Sequence, residues 1–328
     1  MTMRVDAYTH FFPQKFFDKL NEVAGDHKDM GKRVRSLPAL YDLDFRKKIV
    51  DGFKDYQQIL SYPQPPIERF AKTPKDIDEF CRIINDGFAE LIAKEKDRFP
   101  GWVAQVSLDA ADAGVGEAER ALKNGALGVQ IYTNVAGKPL DRPEYRPFFT
   151  KMSALGIPIW LHPVRGAEVP DYISEQKSLY EIWWTFGWSY ETATAMMRLV
   201  YSKIMDDHPD LKIILSHAGG FLPYASHRIA AAMVAEGGRS PVDILEDLRS
   251  FYFDTALSGS PAALPSLLAF AKPGHVLFGT DFPFAPPPAV GYFTGQLDAY
   301  AALDADAHAA VDRRSAEALF PQFSAGAR

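Results

Sequence analysis

Cysteine is almost absent, with Cys81 the only one in 328 residues. A lone thiol forms no internal disulfide and no thiolate metal cluster, and it fits a reducing, cytoplasmic setting. Cys81 falls in an apolar helical pattern, where a buried structural thiol is expected. Positive charge is also short. Thirty-six Lys and Arg stand against 42 Asp and Glu, giving a formal net charge of −6. That leaves no basic surplus to neutralise phosphates, which argues against nucleic acid as a partner. Long apolar runs are missing too. Nothing approaches the roughly 20 residues that cross a bilayer, so no membrane partner is expected. The first residues, Met1 to Asp6, lead straight into a strand pattern without the apolar core of a secretion signal. No internal repeat and no low-complexity linker is visible. No Gly-x-Gly-x-x-Gly follows the first strand, which weighs against a doubly wound dinucleotide-binding sheet.

What is present is alternation. Eight short apolar runs read as strands: 4–10, 57–62, 102–108, 127–133, 158–162, 212–217, 251–255 and 276–281. Ile213-Ile214-Leu215 and Val276-Leu277-Phe278 are near-continuous apolar runs, as parallel strands covered on both faces require. Helix patterns fill most gaps: 74–98 opens on Thr73-Pro74, 110–124 stops before Gly125, 146–155 before Gly156, and 190–207 before Pro209. Threonine caps, first-turn proline and terminal glycine are the expected punctuation. An Ala/Asp-rich helix is expected over 299–310. The order predicts an α/β fold, a (β/α)8 barrel forming one domain over 1–328.

Two connections stand out. The first, 11–56, is a long insertion carrying Arg33, Arg35 and Arg46. The fifth β-α loop holds Trp183, Trp184 and Trp188, three of the five tryptophans, between Tyr180 and Tyr190. Such a cluster serves as a plug or subunit interface. It serves equally as an apolar wall that holds a planar substrate and excludes water.

Ligand-type side chains sit at strand ends. Asp6, Tyr8 and His10 share one face of the first strand; His162, His217 and Asp281 end the fifth, sixth and eighth. The C-terminal mouth of a barrel is where active sites form. Imidazole and carboxylate suit Zn²⁺ or Mn²⁺, and His10, His162 and Asp281 supply the three protein ligands of a catalytic centre. Tyr8 stands where a His would complete a His-x-His pair. It could ligate as phenolate, hydrogen-bond substrate or bound water as a neutral phenol, or mark loss of the metal. His217 is the natural acid/base, and Gly219-Gly220 behind it permits a sharp turn. His27, His208, His275 and His308 lie in loop or helix contexts and are expected at the surface.

Taken together, Asp6-x-x-Thr-His-Phe-Phe-Pro, His162-Pro163, Ser216-His-Ala-Gly-Gly and Gly279-Thr-Asp-Phe-Pro-Phe resemble the amidohydrolase superfamily. The branch is that of aminocarboxymuconate semialdehyde decarboxylase and γ-resorcylate decarboxylase, and the resemblance runs from the first strand to the last. It implies a barrel with one divalent metal, zinc foremost with manganese or iron as alternatives, and no organic cofactor. His10, His162 and Asp281 match its metal-ligand positions, and His217 its catalytic histidine. Tyr8 departs from the pattern, where some relatives carry Glu. Arg228, eleven residues after His217, matches an arginine that reaches substrate from the neighbouring subunit, which implies a homodimer. Arg35, in Arg35-Ser-Leu-Pro-Ala-Leu-Tyr, resembles a second substrate-contacting arginine, and Phe284 a ring-stacking residue. Arg165, Trp183 and Trp184 are added as substrate contacts from their position beside His162 and in the aromatic loop, since the arginine fork suits a carboxylate. The activity expected is metal-dependent decarboxylation of an aromatic or unsaturated carboxylic acid, with His217 or Asp281 delivering a proton to carbon. The alternatives are hydrolysis or hydration with Asp281 as base, and a metal-free binding barrel.

Overall fold

The computed structural model describes residues 3–23 and 34–320. The strands are β1 (Arg4–His10), β2 (Tyr56–Ser61), β3 (Gly101–Trp102), β4 (Ala104–Gln105), β5 (Val129–Tyr132), β6 (Asn134–Val135), β7 (Lys138–Pro139), β8 (Ile159–His162), β9 (Ile213–Leu215), β10 (Tyr252–Asp254) and β11 (Val276–Leu277). β6 and β7 form a separate antiparallel hairpin. All other pairs are parallel, in the orders β1-β2-β3 and β11-β10-β9-β8-β5-β4.

Backbone hydrogen bonds join these two arcs into a ring. Val103 N–H donates to Leu60 O, and Leu127 N–H to Trp102 O, both at 2.9 Å, so 101–105 is one barrel strand interrupted at Val103. At the other seam Ala7 N–H bonds Phe278 O, Asp281 N–H bonds Tyr8 O, and His10 N–H bonds Phe282 O, each at 2.9 Å. Eight strand positions thus close a parallel barrel. The last seam also stitches the two ends that carry Tyr8, His10 and Asp281.

The barrel is filled, not hollow. Val5, Ala7, Ile59, Val103, Leu127, Trp160, Ile214 and Leu277 come from successive strands and pack on one another inside the ring. Trp160 is the largest of them; its indole N–H donates to Ala7 O at 2.9 Å, and its ring stacks on Phe320 at 5.1 Å. Gly128 leaves room for it, because a Cβ there would overlap the Pro158 carbonyl and the Trp160 ring. A second, larger apolar layer lies between strands and helices. Helix Pro74–Lys94 shows how the sequence builds it. Thr73 and Asp76 form a reciprocal capping box, and Ile77, Phe80, Cys81, Ile84, Phe88 and Ile92 recur at helical spacing on the buried face. Cys81 is buried there, as expected.

Several helices differ from the sequence reading. The stretch expected over 190–207 starts earlier and breaks in two, Gly187–Tyr201 and Ile204–Asp207, because Lys203 turns left-handed (φ 64°). Over 299–310 only Ala305–Ala309 is α-helical, started by the Asp304 carboxylate on Ala307 N–H. The helix expected over 74–98 ends at Lys94. Among the described residues no helix is long and apolar enough to cross a membrane.

Candidate active site at the barrel mouth

The strand ends place their functional side chains through unusual backbone. His217 (φ 54°), Ala218 (56°), Leu257 (51°) and Asp281 (66°) are all left-handed without being glycine. Each such residue costs about 1–2 kcal/mol, a strain that gathers at functional sites. Immediately after β9 and β11 it turns His217 and Asp281 over the mouth.

One carboxylate sits between two imidazoles there. Asp281 Oδ1 is 3.1 Å from His10 Nε2, and Oδ2 is 3.6 Å from His217 Nε2. The Tyr8 ring lies 4.7 Å from His10, 5.4 Å from His217 and 5.7 Å from His162, while His10 and His162 are 5.1 Å apart. The five residues singled out in sequence are therefore one buried cluster.

Partners on the far side of two imidazoles orient the rings. His10 Nδ1 is 3.0 Å from Ser61 Oγ, whose own proton goes to Thr9 O. His162 Nδ1 is 2.8 Å from Pro163 O, which can only accept. These acceptors favour a proton on Nδ1 and turn both Nε2 atoms toward the cluster; Gln64 Nε2 also approaches His162 Nδ1, at 3.2 Å, and His10 Nε2 meets Asp281 Oδ1 at 3.1 Å, a contact that needs a proton or a cation between the two atoms. Burial, partly opposed by Asp281, lowers the His10 pKa; burial and then the nearby His10 lower His162 further, so both are neutral. For Asp281 burial acts upward, but His10 and His217 outweigh it and bring the carboxyl to about 2. Burial disfavours charged His217, yet Asp281 wins and raises its pKa. Burial, then the carboxylates of Asp281 and Asp254, push the Tyr8 phenol well above its ordinary range. Three buried polar atoms here lack a hydrogen-bond partner: His10 Nε2, Tyr8 Oη and Asp254 Oδ2. As the side chains stand, no three His, Cys, Asp or Glu among the described residues form a ready metal cage.

A cavity of about 410 Å³ opens above His217 and Asp281. Trp184, Trp188 and Phe284 line it. Trp188 also meets the His162 ring at 5.9 Å, and Phe284 the His10 ring at 5.7 Å. Trp183 is buried behind Trp188, ring to ring at 5.9 Å, and supports the wall without lining it. Arg165 is held by Glu191 at 3.0 Å and faces a different cavity, of about 640 Å³, that neither His217 nor Asp281 lines. That larger space is lined by none of Tyr8, His10, His162, His217 and Asp281, so size alone does not mark the site. Arg228 is exposed on helix Leu222–Gly237, and Arg35 is exposed beside the wall residues Ser36 and Leu37. No Lys or Arg among the described residues lines the 410 Å³ cavity.

Sequence reasoning missed two buried charges. Asp254 Oδ1 accepts from His217 N–H and Ala256 N–H, both at 2.9 Å, so it holds the His217 turn. Its only signal was an acid closing the apolar run Phe251-Tyr252-Phe253. Arg46 was noted only as part of the first connection. It donates to His10 O at 2.6 Å, Ala39 O at 3.1 Å, Thr9 Oγ1 at 3.1 Å and Gln58 Oε1 at 3.0 Å, pinning the insertion to the end of β1. His275 is not a plain surface residue: it is half-buried, stacked on Tyr252 at 4.1 Å with Nδ1 2.9 Å from Phe251 O. His208 and His308 are partly exposed. His27 and Arg33 lie outside the described residues.

The chain's likenesses agree with this geometry. The sequence profile of the amidohydrolases matches residues 5–322. A 6-methylsalicylic acid decarboxylase from Penicillium expansum is 32% identical over 97% of this chain and 96% of its own length. A γ-resorcylate decarboxylase from a Rhizobium species is 31% identical over 87% of this chain and 89% of its own. The crystal structure of dihydroxybenzoic acid decarboxylase from Polaromonas sp. JS666, with bound manganese and the inhibitor 2-nitroresorcinol, matches with TM-score 0.79 at 25% identity, covering 98% of this chain and 97% of that one. The chain belongs to the amidohydrolase family, in the branch that includes γ-resorcylate decarboxylase.

Proposed function

We propose that this chain is a metal-dependent, non-oxidative decarboxylase of a salicylate-type aromatic acid. His10, His162 and Asp281 hold its one divalent ion, and His217 is its proton donor. The observation that carries the reading is the convergence at one buried place of His10 Nε2, the His162 ring and the Asp281 carboxylate, held at about 2, beside His217, whose pKa that carboxylate raises. Metal binding needs neutral imidazoles and an ionised carboxylate, the states that burial and the neighbouring groups favour here. The partnerless His10 Nε2 and Tyr8 Oη are the buried atoms that a bound ion or substrate oxygen would satisfy. The manganese in the similar dihydroxybenzoic acid decarboxylase supports a divalent ion over a metal-free barrel, and two imidazoles with a carboxylate suit zinc or manganese.

A divalent ion at this place supplies Lewis-acid stabilisation of substrate oxygens as the carbon–carbon bond breaks. The protein supplies the rest. Trp184, Trp188 and Phe284 hold the ring and exclude water. His217, charged beside Asp281, delivers its proton to the ring carbon that carries the carboxylate, and carbon dioxide leaves. Asp281 orients that imidazole through its second oxygen. Tyr8, held as a neutral phenol, donates to a substrate oxygen. Decarboxylation is preferred to hydrolysis because the relatives described are decarboxylases. The reading takes 1–328 as one barrel domain acting as a cytoplasmic homodimer, with Arg35 of its own chain and Arg228 of a second copy as the cations nearest the open mouth.

The test uses carboxyl-labelled salicylates in deuterated water with metal-loaded protein. Expected are labelled carbon dioxide and one deuterium on the carbon that lost it, both abolished by chelation and by His217→Ala. Absence of labelled carbon dioxide across the panel overturns the reading.

A further inference from the structure

The cavity wall carries a feature that ring-holding and proton transfer do not use. Leu257 lies just after β10 with φ 51°, a backbone region where glycine or asparagine is the ordinary choice. The loop enforces it from both sides. Ala256 N–H is tied to Asp254 Oδ1 at 2.9 Å, and Ser258 N–H to Thr255 O at 3.0 Å. Two residues on, Gly259 is pressed so closely on the Phe293 carbonyl that a Cβ would overlap it. An isobutyl side chain is therefore kept where the backbone disfavours it. That side chain lines the 410 Å³ cavity and packs against Ala39, Phe282, Ala285 and Val290. Leu37 and Pro286 line the same cavity.

Two hydroxyls of this wall already donate elsewhere. Ser258 Oγ donates to Ala256 O at 3.0 Å, and Thr185 Oγ1 to Glu181 O at 3.0 Å. No described lining residue is Lys or Arg. Beside Leu257 and Leu37 a second carboxylate or an added hydroxyl would lose its hydration against leucine carbon.

We infer that Leu257, with Leu37, is the specificity seat of the pocket, and that it takes an alkyl substituent on the aromatic ring in preference to a hydroxyl or a second carboxylate. This rests on the decarboxylase reading for the identity of the ring acid. It adds a residue-level account of which acids are accepted. The cavity has room for more than one ring with a methyl group, so ethyl and propyl substituents belong to the accepted class.

The experiment compares 2-hydroxybenzoates bearing hydrogen, methyl, propyl, hydroxyl or carboxyl at position 6. It reads kcat/KM for carbon dioxide release and, separately, affinity by quenching of tryptophan fluorescence, since Trp184 and Trp188 line the pocket. The unaltered protein is expected to favour methyl over hydroxyl by roughly 10-fold or more. Leu257→Gly removes the side chain and suits the left-handed backbone, so relief of strain offsets part of the lost packing and the variant still folds. In it the methyl-to-hydrogen ratio falls toward one. Leu257→Ala shifts the optimum from methyl toward propyl. Equal use of methyl and hydroxyl acids by the parent, or an unchanged ratio in a folded Leu257→Gly, overturns the inference. Alkyl preference in binding without carbon dioxide release from any acid supports the seat and sinks the decarboxylase reading instead.

Discussion

Asp254 offers a test of the buried electrostatics whose sign can be worked through. Burial, the largest influence, raises its carboxyl from 3.8 to about 7, against the opposing effects of His217 and of the N–H groups of Ala256 and His217. Between pH 4 and 7 the folded protein therefore holds a proton that the unfolded chain has released. Stability must fall as pH rises through that window. A shift of about 3 units is worth about 4 kcal/mol at 1.36 kcal/mol per unit. Asp254→Asn removes the titration. Its amide oxygen can still accept from His217 and Ala256, but its NH₂ falls where Oδ2 has no partner, a cost of about 1–3 kcal/mol independent of pH. At pH 5, where the parent has already lost about 1.6 kcal/mol, the variant lies between about equal to it and about 1.5 kcal/mol less stable; at pH 8 it is more stable by about 1–3 kcal/mol. Urea unfolding of metal-stripped parent and variant at four pH values between 5 and 8 measures the difference directly. Asp254→Ala, which strands two N–H groups, should lie below Asp254→Asn throughout. A constant gap between parent and Asp254→Asn across the range would refute the raised carboxyl.

Three further outcomes follow from the same geometry. Gly220→Ala places a Cβ against the Ser189 carbonyl at φ 65°, so it should cost about 2 kcal/mol or more and shift the emission of neighbouring Trp188; a loss under about 0.5 kcal/mol by chemical denaturation contradicts the close approach. Arg46→Met fills similar volume but leaves His10 O and Ala39 O without their donor; about 3 kcal/mol of lost stability is expected, with little rescue by Arg46→Lys because one ammonium cannot span four acceptors. Tyr8→Phe deletes a buried hydroxyl that has no partner, so the metal-free protein should be unchanged or up to about 1 kcal/mol more stable, while turnover drops roughly 10- to 100-fold; a destabilised variant with full turnover reverses both halves.

Regular elements were readable wherever a local pattern decided them. Helix Arg146–Leu155 and its left-handed Gly156 follow from spacing and one glycine. Strand limits were less legible. Within the run expected over 276–281 only Val276–Leu277 forms a regular strand; beyond it Phe278 O and Asp281 N–H reach β1 through single hydrogen bonds, and the chain turns left-handed at Asp281. The break at Lys203 has no local signal, since a lysine in a left-handed conformation is imposed by what packs around it. Tryptophans were flagged as a group, but which of them face ligand depends on packing. Trp184 and Trp188 line the cavity, and Trp183 turns away from it.

The sequence by itself determined the alternating α/β order and the identity of the mouth residues. Strand ends are set by short-range apolar patterning, and a His or Asp at such an end has one place to go. Tyr8, His10, His162, His217 and Asp281 were therefore found before any coordinates. The tertiary structure alone decided what state those groups are in and which residues serve them. The low carboxyl of Asp281, the raised carboxyl of Asp254 and the grip of Arg46 depend on removal from water and on partners distant in the chain: His10 lies 271 positions from Asp281 (281 − 10), His217 lies 37 from Asp254, and His10 lies 36 from Arg46. Neither dielectric nor through-space distance is written in local order. Both appear only when the barrel closes and brings β1 against the end of β11.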